Sequence, residues 1–228
     1  MATTVRRSMS LLMHPARRRI YSLVCESPGT YFHRIGEVLE IPAGTLAWHL
    51  KKLQEDGLIG TIKHGGKRIF FPVGLRSPEV EKIFMVLQNA TTRRVFLHVV
   101  NNSSHTQTEI AQKLDLHHDT ARYHLTALEN VELIELIRDG RTVRASKGPA
   151  AIRLQKGSLN AISDVFVSFL TSKLIEGCLH PEVVRQSSER LILRIECPVG
   201  EDIILSLDLS EWSLFEAFEE ENAQYPSE

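Results

Sequence analysis

Cysteine is scarce in this chain, and the few present are badly placed for chemistry. Cys25, Cys178 and Cys197 are an odd number with no close pair, which excludes a disulfide framework and leaves a thiolate metal cluster without the spacing it needs. They read as buried apolar residues. No apolar run approaches the roughly 20 residues needed to cross a bilayer. The opening MATTVRRSMSLLMHPARRR has no unbroken apolar core of the kind a signal peptide needs, so a cytoplasmic protein with no membrane partner is expected. Catalytic signatures are missing too: there is no GxSxG, no Walker-type glycine loop, no HExxH, and no cysteine beside a suitable histidine. The expectation is therefore a protein that is not an enzyme and holds no cofactor and no metal. His117-His118-Asp119 is the nearest approach to a ligand cluster, but neighbouring residues on a helix point in different directions.

A large net charge is also absent, since the formal sum is only −1. The average conceals a gradient. Residues 1–75 carry 11 Lys and Arg against 5 Asp and Glu, residues 76–150 carry 10 against 9, and residues 151–228 carry 6 against 14. The chain has a basic front and an acidic back. Its 228 residues, 43% hydrophobic, suffice for two or three small cored domains.

What the sequence does have is an internal repeat. Shifted by 75, the first third falls on the second without a gap from about residue 11 to about residue 65. WHLKKL (48–53) lands on YHLTAL (123–128), and Arg18-Arg19-Ile20-Tyr21 on Arg93-Arg94-Val95-Phe96. Ile35, Leu39, Thr45 and Leu58-Ile59 meet Ile110, Leu114, Thr120 and Leu133-Ile134. The matches are mainly apolar positions at helical spacing, which a shared core requires. Within each copy the order reads helix, helix, helix, then a β-hairpin. The first helix opens at His14-Pro15, where proline suits the first helical position, and breaks at Ser27-Pro28-Gly29. LIGTIK (58–63) and KRIFFPV (67–73) read as strands joined at His64-Gly65-Gly66; LIELIR (133–138) and TVRA (142–145) flank Asp139-Gly140-Arg141.

Three helices and a hairpin make the winged helix-turn-helix arrangement. The pattern T-x-x-x-H-L-x-x-L-x-x-x-G-L-I over residues 45–59 resembles the recognition helix and following wing of ArsR/MarR-type winged-helix regulators, in the tandem form met in archaeal proteins. The likeness covers residues 10–148, and it implies a DNA-binding transcriptional regulator, most naturally a repressor that occupies a promoter.

The helix over 43–55 turns Leu46, Leu50 and Leu53 inward and presents Ala43, Gly44, Ala47, Trp48 and Lys51. Small residues there let a helix backbone approach the floor of a major groove. Thr45 can donate to a phosphate or base edge, Lys51 and Lys52 can neutralise phosphates, and the Trp48 ring can rest on sugar or a thymine methyl. The second recognition helix, 118–130, offers His118, Asp119, Thr120, Arg122, Tyr123 and Thr126, with Arg122 suited to a bidentate guanine contact. His49 and His124 sit on the shoulder and read as packing residues. The wings crowd Lys63, His64, Lys67 and Arg68 at one hairpin and Arg138, Arg141 and Arg144 at the other, positions suited to flanking phosphates. Arg17, Arg18, Arg19, Arg93 and Arg94 can serve the backbone or stand in solvent as ordinary helix charges.

Three domains are expected: residues 1–75 and 76–150 as the two winged copies, joined by a linker helix over 78–88, and residues 151–228 as a C-terminal oligomerisation or sensing domain. The fold class is α+β, mainly α with small β-hairpins. Residues 158–176 form an amphipathic helix whose stripe, including Leu159, Ile162, Phe166 and Phe169, is the expected dimer contact; the alternative is that domain's own core. Alternating LILRIEC (191–197) and IILSLDL (203–209) give two strands, and Trp212, Phe215 and Phe218 mark a last helix, for an α-β-β-α unit. The expected partners are double-stranded DNA and a second copy of the chain. Two other readings are an architectural protein that coats DNA without sequence preference and a tandem winged-helix scaffold that binds other proteins.

Overall fold

The computed structural model describes residues 12–210, apart from 65, 75–77, 103, 157–158, 178, 188 and 198–200. The first copy runs α1 (Pro15–Glu26), β1 (Thr30–Tyr31), α2 (Phe32–Leu39), α3 (Ala43–Glu55), β2 (Ile59–His64) and β3 (Lys67–Pro72). His14 caps α1, its ring accepting from Ala16 N at 3.2 Å, and Pro15 takes the first helical position, where no amide partner is lost. Ile20, Tyr21, Val24, Ile35, Leu46, Leu50 and Leu53 lie at no more than 1% exposure, so the inward leucines of α3 close a core against α1 and α2. Phe70 and Phe71 of β3 join it. Cys25 is fully buried in the same core, and burial pushes its thiol far above the ordinary range, which leaves it unreactive.

After α4 (Pro78–Leu87) the order repeats as α5 (Ala90–Asn101), α6 (Gln107–Leu114), α7 (His118–Glu129), β4 (Ile134–Asp139) and β5 (Thr142–Lys147). The linker helix is present over 78–87, with Ile83, Phe84 and Leu87 buried as its apolar stripe requires. The shift of 75 continues past the first hairpin turn to the end of both hairpins. His64 pairs with Lys67 across one turn and Asp139 with Thr142 across the other, each loop holding a glycine at positive φ (Gly66, 75°; Gly140, 56°). Even the short strand before the second helix recurs, since Tyr31 pairs with Ile69 and Thr106 bridges Arg144.

Fine detail repeats as well. The turn between second and third helices passes through left-handed Glu40 (φ 54°) in one copy and Asp115 (φ 53°) in the other, with Ile41 N bonded to Gly36 O and Leu116 N to Ala111 O. Arg19 donates to Leu39 O at 3.5 Å, and Arg94 to Leu114 O at 3.2 Å. Arg18 donates to Leu12 O at 2.8 Å, and Arg93 to Leu87 O at 3.1 Å. These arginines hold helix and chain ends in both copies. After the third helix the chain turns at positive φ, at Gly57 (68°) and at Glu132 (58°).

Beyond the repeats come α8 (Pro149–Lys156), α9 (Leu159–Glu176), β6 (His180–Gln186), β7 (Arg190–Glu196) and β8 (Ile203–Asp208). The sheet has three strands in the order β6-β7-β8, one more than the two expected. His180-Pro181 opens β6. That strand escaped notice because every residue from Glu182 to Gln186 is exposed and no alternation marks it. The last helix expected at Trp212 to Phe218 lies outside the described residues. Leu191, Leu193 and Ile195 of β7 and Leu205 and Leu207 of β8 form one buried face, as their alternation predicts.

The chain separates into two compact units. One takes residues 12–74 together with 160–210; the other takes 78–159. Within the first, β8 runs beside α1, and Glu26 lies close enough to Asp208 for burial, with that carboxylate's charge, to push its own carboxyl upward. Phe166 is fully buried in this unit, and a side chain at Gly74 (φ 112°) would meet the Phe169 ring at 3.0 Å. Phe166 is therefore core of its own chain, and the stripe expected to meet a second copy is at least in part spent internally. The side chains of Leu159 and Ile162 lie outside the described residues. In the second unit α8 is clamped on the turn after α7. Gly148 N bonds Leu133 O at 3.0 Å, where any Cβ would collide with the carbonyl of Glu132, and Arg153 bridges Glu79 at 2.5 Å and Glu132 at 3.0 Å.

Candidate nucleic-acid interface

The front of α3 is bare. Ala43, Gly44, Thr45, Ala47 and Lys51 are exposed, Trp48 is 50% exposed, and nothing lies within 4 Å of where a Gly44 side chain would be. Leu46, Leu50 and Leu53 are the reason, because burying them fixes which face is left outside. Trp48 is held in place. The Arg17 guanidinium lies 5.2 Å from its ring, and the ring of His49 meets it edge-on at 4.9 Å. His49 is itself buried, 4.7 Å from the His14 ring, and burial with the neighbouring charges of His14 and Arg17 holds its pKa below the usual imidazole range. Lys52 bonds Glu55 at 2.6 Å and Lys51 approaches the same carboxylate at 3.8 Å. Such exposed pairs are worth under about 1 kcal/mol and exchange readily for phosphate.

On α7 the matching face shows His118, Asp119, Thr120, Arg122, Tyr123 (69% exposed) and Thr126. His117 caps the helix, its ring accepting from Asp119 N at 3.3 Å. The shoulder histidine is again buried, but here His124 Nδ1 meets Thr92 Oγ1 at 2.8 Å, with no cation between, and burial alone lowers its pKa. Both shoulder histidines pack as their position predicts. Thr92 is the repeat partner of Arg17, so Tyr123 keeps the edge-on contact with its shoulder histidine, at 5.2 Å, but has no cation over its ring.

The wings divide the expected cations into two groups. Arg138 forks onto Glu129 of α7 at 3.1 and 3.2 Å, and Arg144 donates to Ser104 O at 3.0 Å, so both are engaged with their own unit. Lys67 Nζ lies 5.1 Å from the Tyr31 ring, and Arg68 Cζ 5.4 Å from the Phe32 ring. Lys63 is exposed; the side chain of His64 lies outside the described residues. Arg122 and Arg141 are exposed and make no hydrogen bond or ion pair to a described residue. The sequence reading did not find the stacks on Tyr31, Phe32 and Trp48. Nothing in the local pattern pairs a ring with a cation 31 to 36 positions away.

With this geometry in place, likeness to known proteins becomes specific. Residues 14–83 match a family described as an N-terminal HTH domain. The matched stretch takes in the whole first copy, where α2 and α3 are joined by the turn through left-handed Glu40. An uncharacterized HTH-type transcriptional regulator of Methanocaldococcus jannaschii is 29% identical over 133 residues, 58% of this chain. The chain covers 33% of that relative's length. Among the described residues no helix is long and apolar enough to cross a membrane, and no group of three or more His, Cys, Asp or Glu could hold a metal ion.

Proposed function

We propose that this chain is a cytoplasmic, DNA-binding transcriptional regulator of the tandem winged-helix, ArsR/MarR-like kind, acting as a repressor by laying recognition helices 43–55 and 118–130 in the major groove. The observation that carries the reading is the bare front of α3 inside a helix-turn-helix domain. Its apolar face is wholly buried, while small residues, one clamped aromatic and two lysines face outward. The 11 basic residues against 5 acidic over residues 1–75 supply attraction to phosphates. In the second copy Arg122 and Arg141, uncommitted to any described partner, are the residues best placed for base and backbone contact. A homodimer would form through the C-terminal region, where β6 is an edge strand with Val183 and Val184 exposed.

The test is selection from a pool of short genomic duplexes across a salt series, with Lys51→Glu/Arg122→Glu as control. Enrichment of a shared motif that the double variant loses is the expected result; no retention at low salt would sink the reading. A second reading has one observation in its favour. Ala43, Gly44 and Ala47 carry no hydrogen-bonding side chain, so α3 alone can hold DNA with little base discrimination, as an architectural protein does. Uniform, salt-steep retention would select that reading.

A further inference from the structure

The two copies diverge most where the hairpin meets the start of the second helix. In the first, Lys67 and Arg68 of the hairpin lie over the rings of Tyr31 and Phe32. At the positions 75 further on stand Thr142, Val143, Thr106 and Gln107, which have neither rings nor long cations. In their place is a cleft of about 400 Å³. Its walls include Gln107, Thr108, His118, Arg122, Arg141 and Thr142. The first copy has Ala43, Ala47 and Gly66 where the second has His118, Arg122 and Arg141, so the cations have been moved from over the rings to the rim of an opening.

We propose that this cleft binds a free phosphate monoester of nucleotide size, and that its occupancy competes with DNA for recognition helix 118–129. The competition rests on the DNA reading above; the pocket does not. No lining residue is acidic. Two carboxylates stand next to the lining and are occupied by it, Glu109 accepting from Thr106 N and Oγ1 at 2.7 and 2.8 Å, and Asp119 lying 3.7 Å from His117 and 3.9 Å from His118. Arg122 and Arg141 lack ion-pair partners among the described residues, and guanidinium forks match phosphate oxygens two at a time. Two of them balance the charge of a monoester, about −1.5 to −2 at neutral pH, where a backbone diester would carry only one. Thr108 and Thr142 add hydroxyl donors. The back wall is fixed: Gln107 is 8% exposed and its amide donates to His118 Nε2 at 3.0 Å and to His118 O at 3.4 Å. The volume falls within the roughly 300–1,000 Å³ of small-molecule sites.

The experiment is calorimetric titration of the full chain with 5′-AMP, inorganic phosphate and adenosine at constant ionic strength, followed by displacement of a bound duplex by 5′-AMP. Saturable binding of 5′-AMP at one site per chain is expected, with none for adenosine. Arg141→Gln, at an exposed hairpin tip, should weaken it at least about tenfold, the effect of losing roughly 1.4 kcal/mol of a charge-assisted contact. Lys67→Gln/Arg68→Gln in the first copy should leave it unchanged. Binding of 5′-AMP no stronger than that of inorganic phosphate, or insensitivity to Arg141→Gln, overturns the proposal. So does a duplex weakened by Arg141→Gln in a protein that 5′-AMP does not saturate, since the arginines then serve backbone diesters alone. Saturation by 5′-AMP in a protein that binds no duplex would uphold the pocket and end the DNA reading.

Discussion

The two copies have one backbone and two chemistries. Their helices, strand registers and the left-handed residues that follow the second and third helices coincide at a shift of 75, down to the arginines that bond the chain ends in each. The side chains around that frame are shared out differently. The first copy spends Arg17, Lys67 and Arg68 on rings and offers a face of small residues with one fixed tryptophan. The second has a threonine behind its shoulder histidine, exposed guanidiniums at Arg122 and Arg141 with no ion-pair partner among the described residues, and an open polar cleft. Conservation of core packing thus leaves the outward face free to change, because burial constrains Leu46 and Ala121 far more than Trp48 or Tyr123.

Several substitutions probe that parity of frame against disparity of face. The largest effect belongs to the core: Leu50→Ala and Leu125→Ala, at 1% and 0% exposure, should each cost about 2–5 kcal/mol in chemical denaturation. A large gap between the two would show that the copies are not equally packed. Next comes Thr92→Val, which strands His124 without its 2.8 Å partner and should cost about 1–2 kcal/mol; Arg17→Thr at the matching position removes a buried guanidinium and should lower stability as well as loosen Trp48, read as increased fluorescence quenching by acrylamide.

Acid should act on both copies, and on the second through His98 as well, whose pKa is also lowered by burial and by the charges of His105 and Lys113. His49 and His124 have pKa values held below the ordinary 6.5, so the unfolded chain takes up protons first as pH falls. Stability is therefore full above about 6.5 and declines below it, and the melting temperature should drop between pH 7.5 and 5.5. His49→Gln/His124→Gln should flatten that slope; an unaltered slope would mean that the two rings titrate alike in folded and unfolded chains. The smallest effect is expected from Glu132→Gly, which copies Gly57 at the same positive φ. Relief of the left-handed backbone, about 1 kcal/mol, outweighs loss of an exposed pair with Arg153 and should raise the melting point slightly.

Much of this frame can be read directly from residues. The α3 boundaries follow from Pro42 before it and Asp56-Gly57 after it, and the inward leucines identify themselves by spacing. The hairpins follow from their glycines. What stayed hidden has physical causes. β6 carries no alternating pattern because both its faces meet solvent, and α8 is a short helix whose start is set by contact with the turn after α7. At the interface, spacing finds which residues point outward. It cannot find which of them are already engaged, since Arg138 with Glu129 and Lys67 with Tyr31 are pairings made only by the fold.

The unbroken shift of 75 has a practical corollary. With no insertion or deletion from the first helix to the end of the hairpin, each residue has a counterpart 75 positions on, and outside the hairpin tip, where Gly66 is left-handed and Arg141 is not, the two stand in matching elements. Each copy is thus a ready control for the other. An arginine written into position 47, with the rings at 31 and 32 cut back to threonine and glutamine and Lys67 and Arg68 to threonine and valine, would transplant the part of the cleft whose backbone the copies share. The molecule is its own grafting experiment, with donor and acceptor sockets already cut to one gauge.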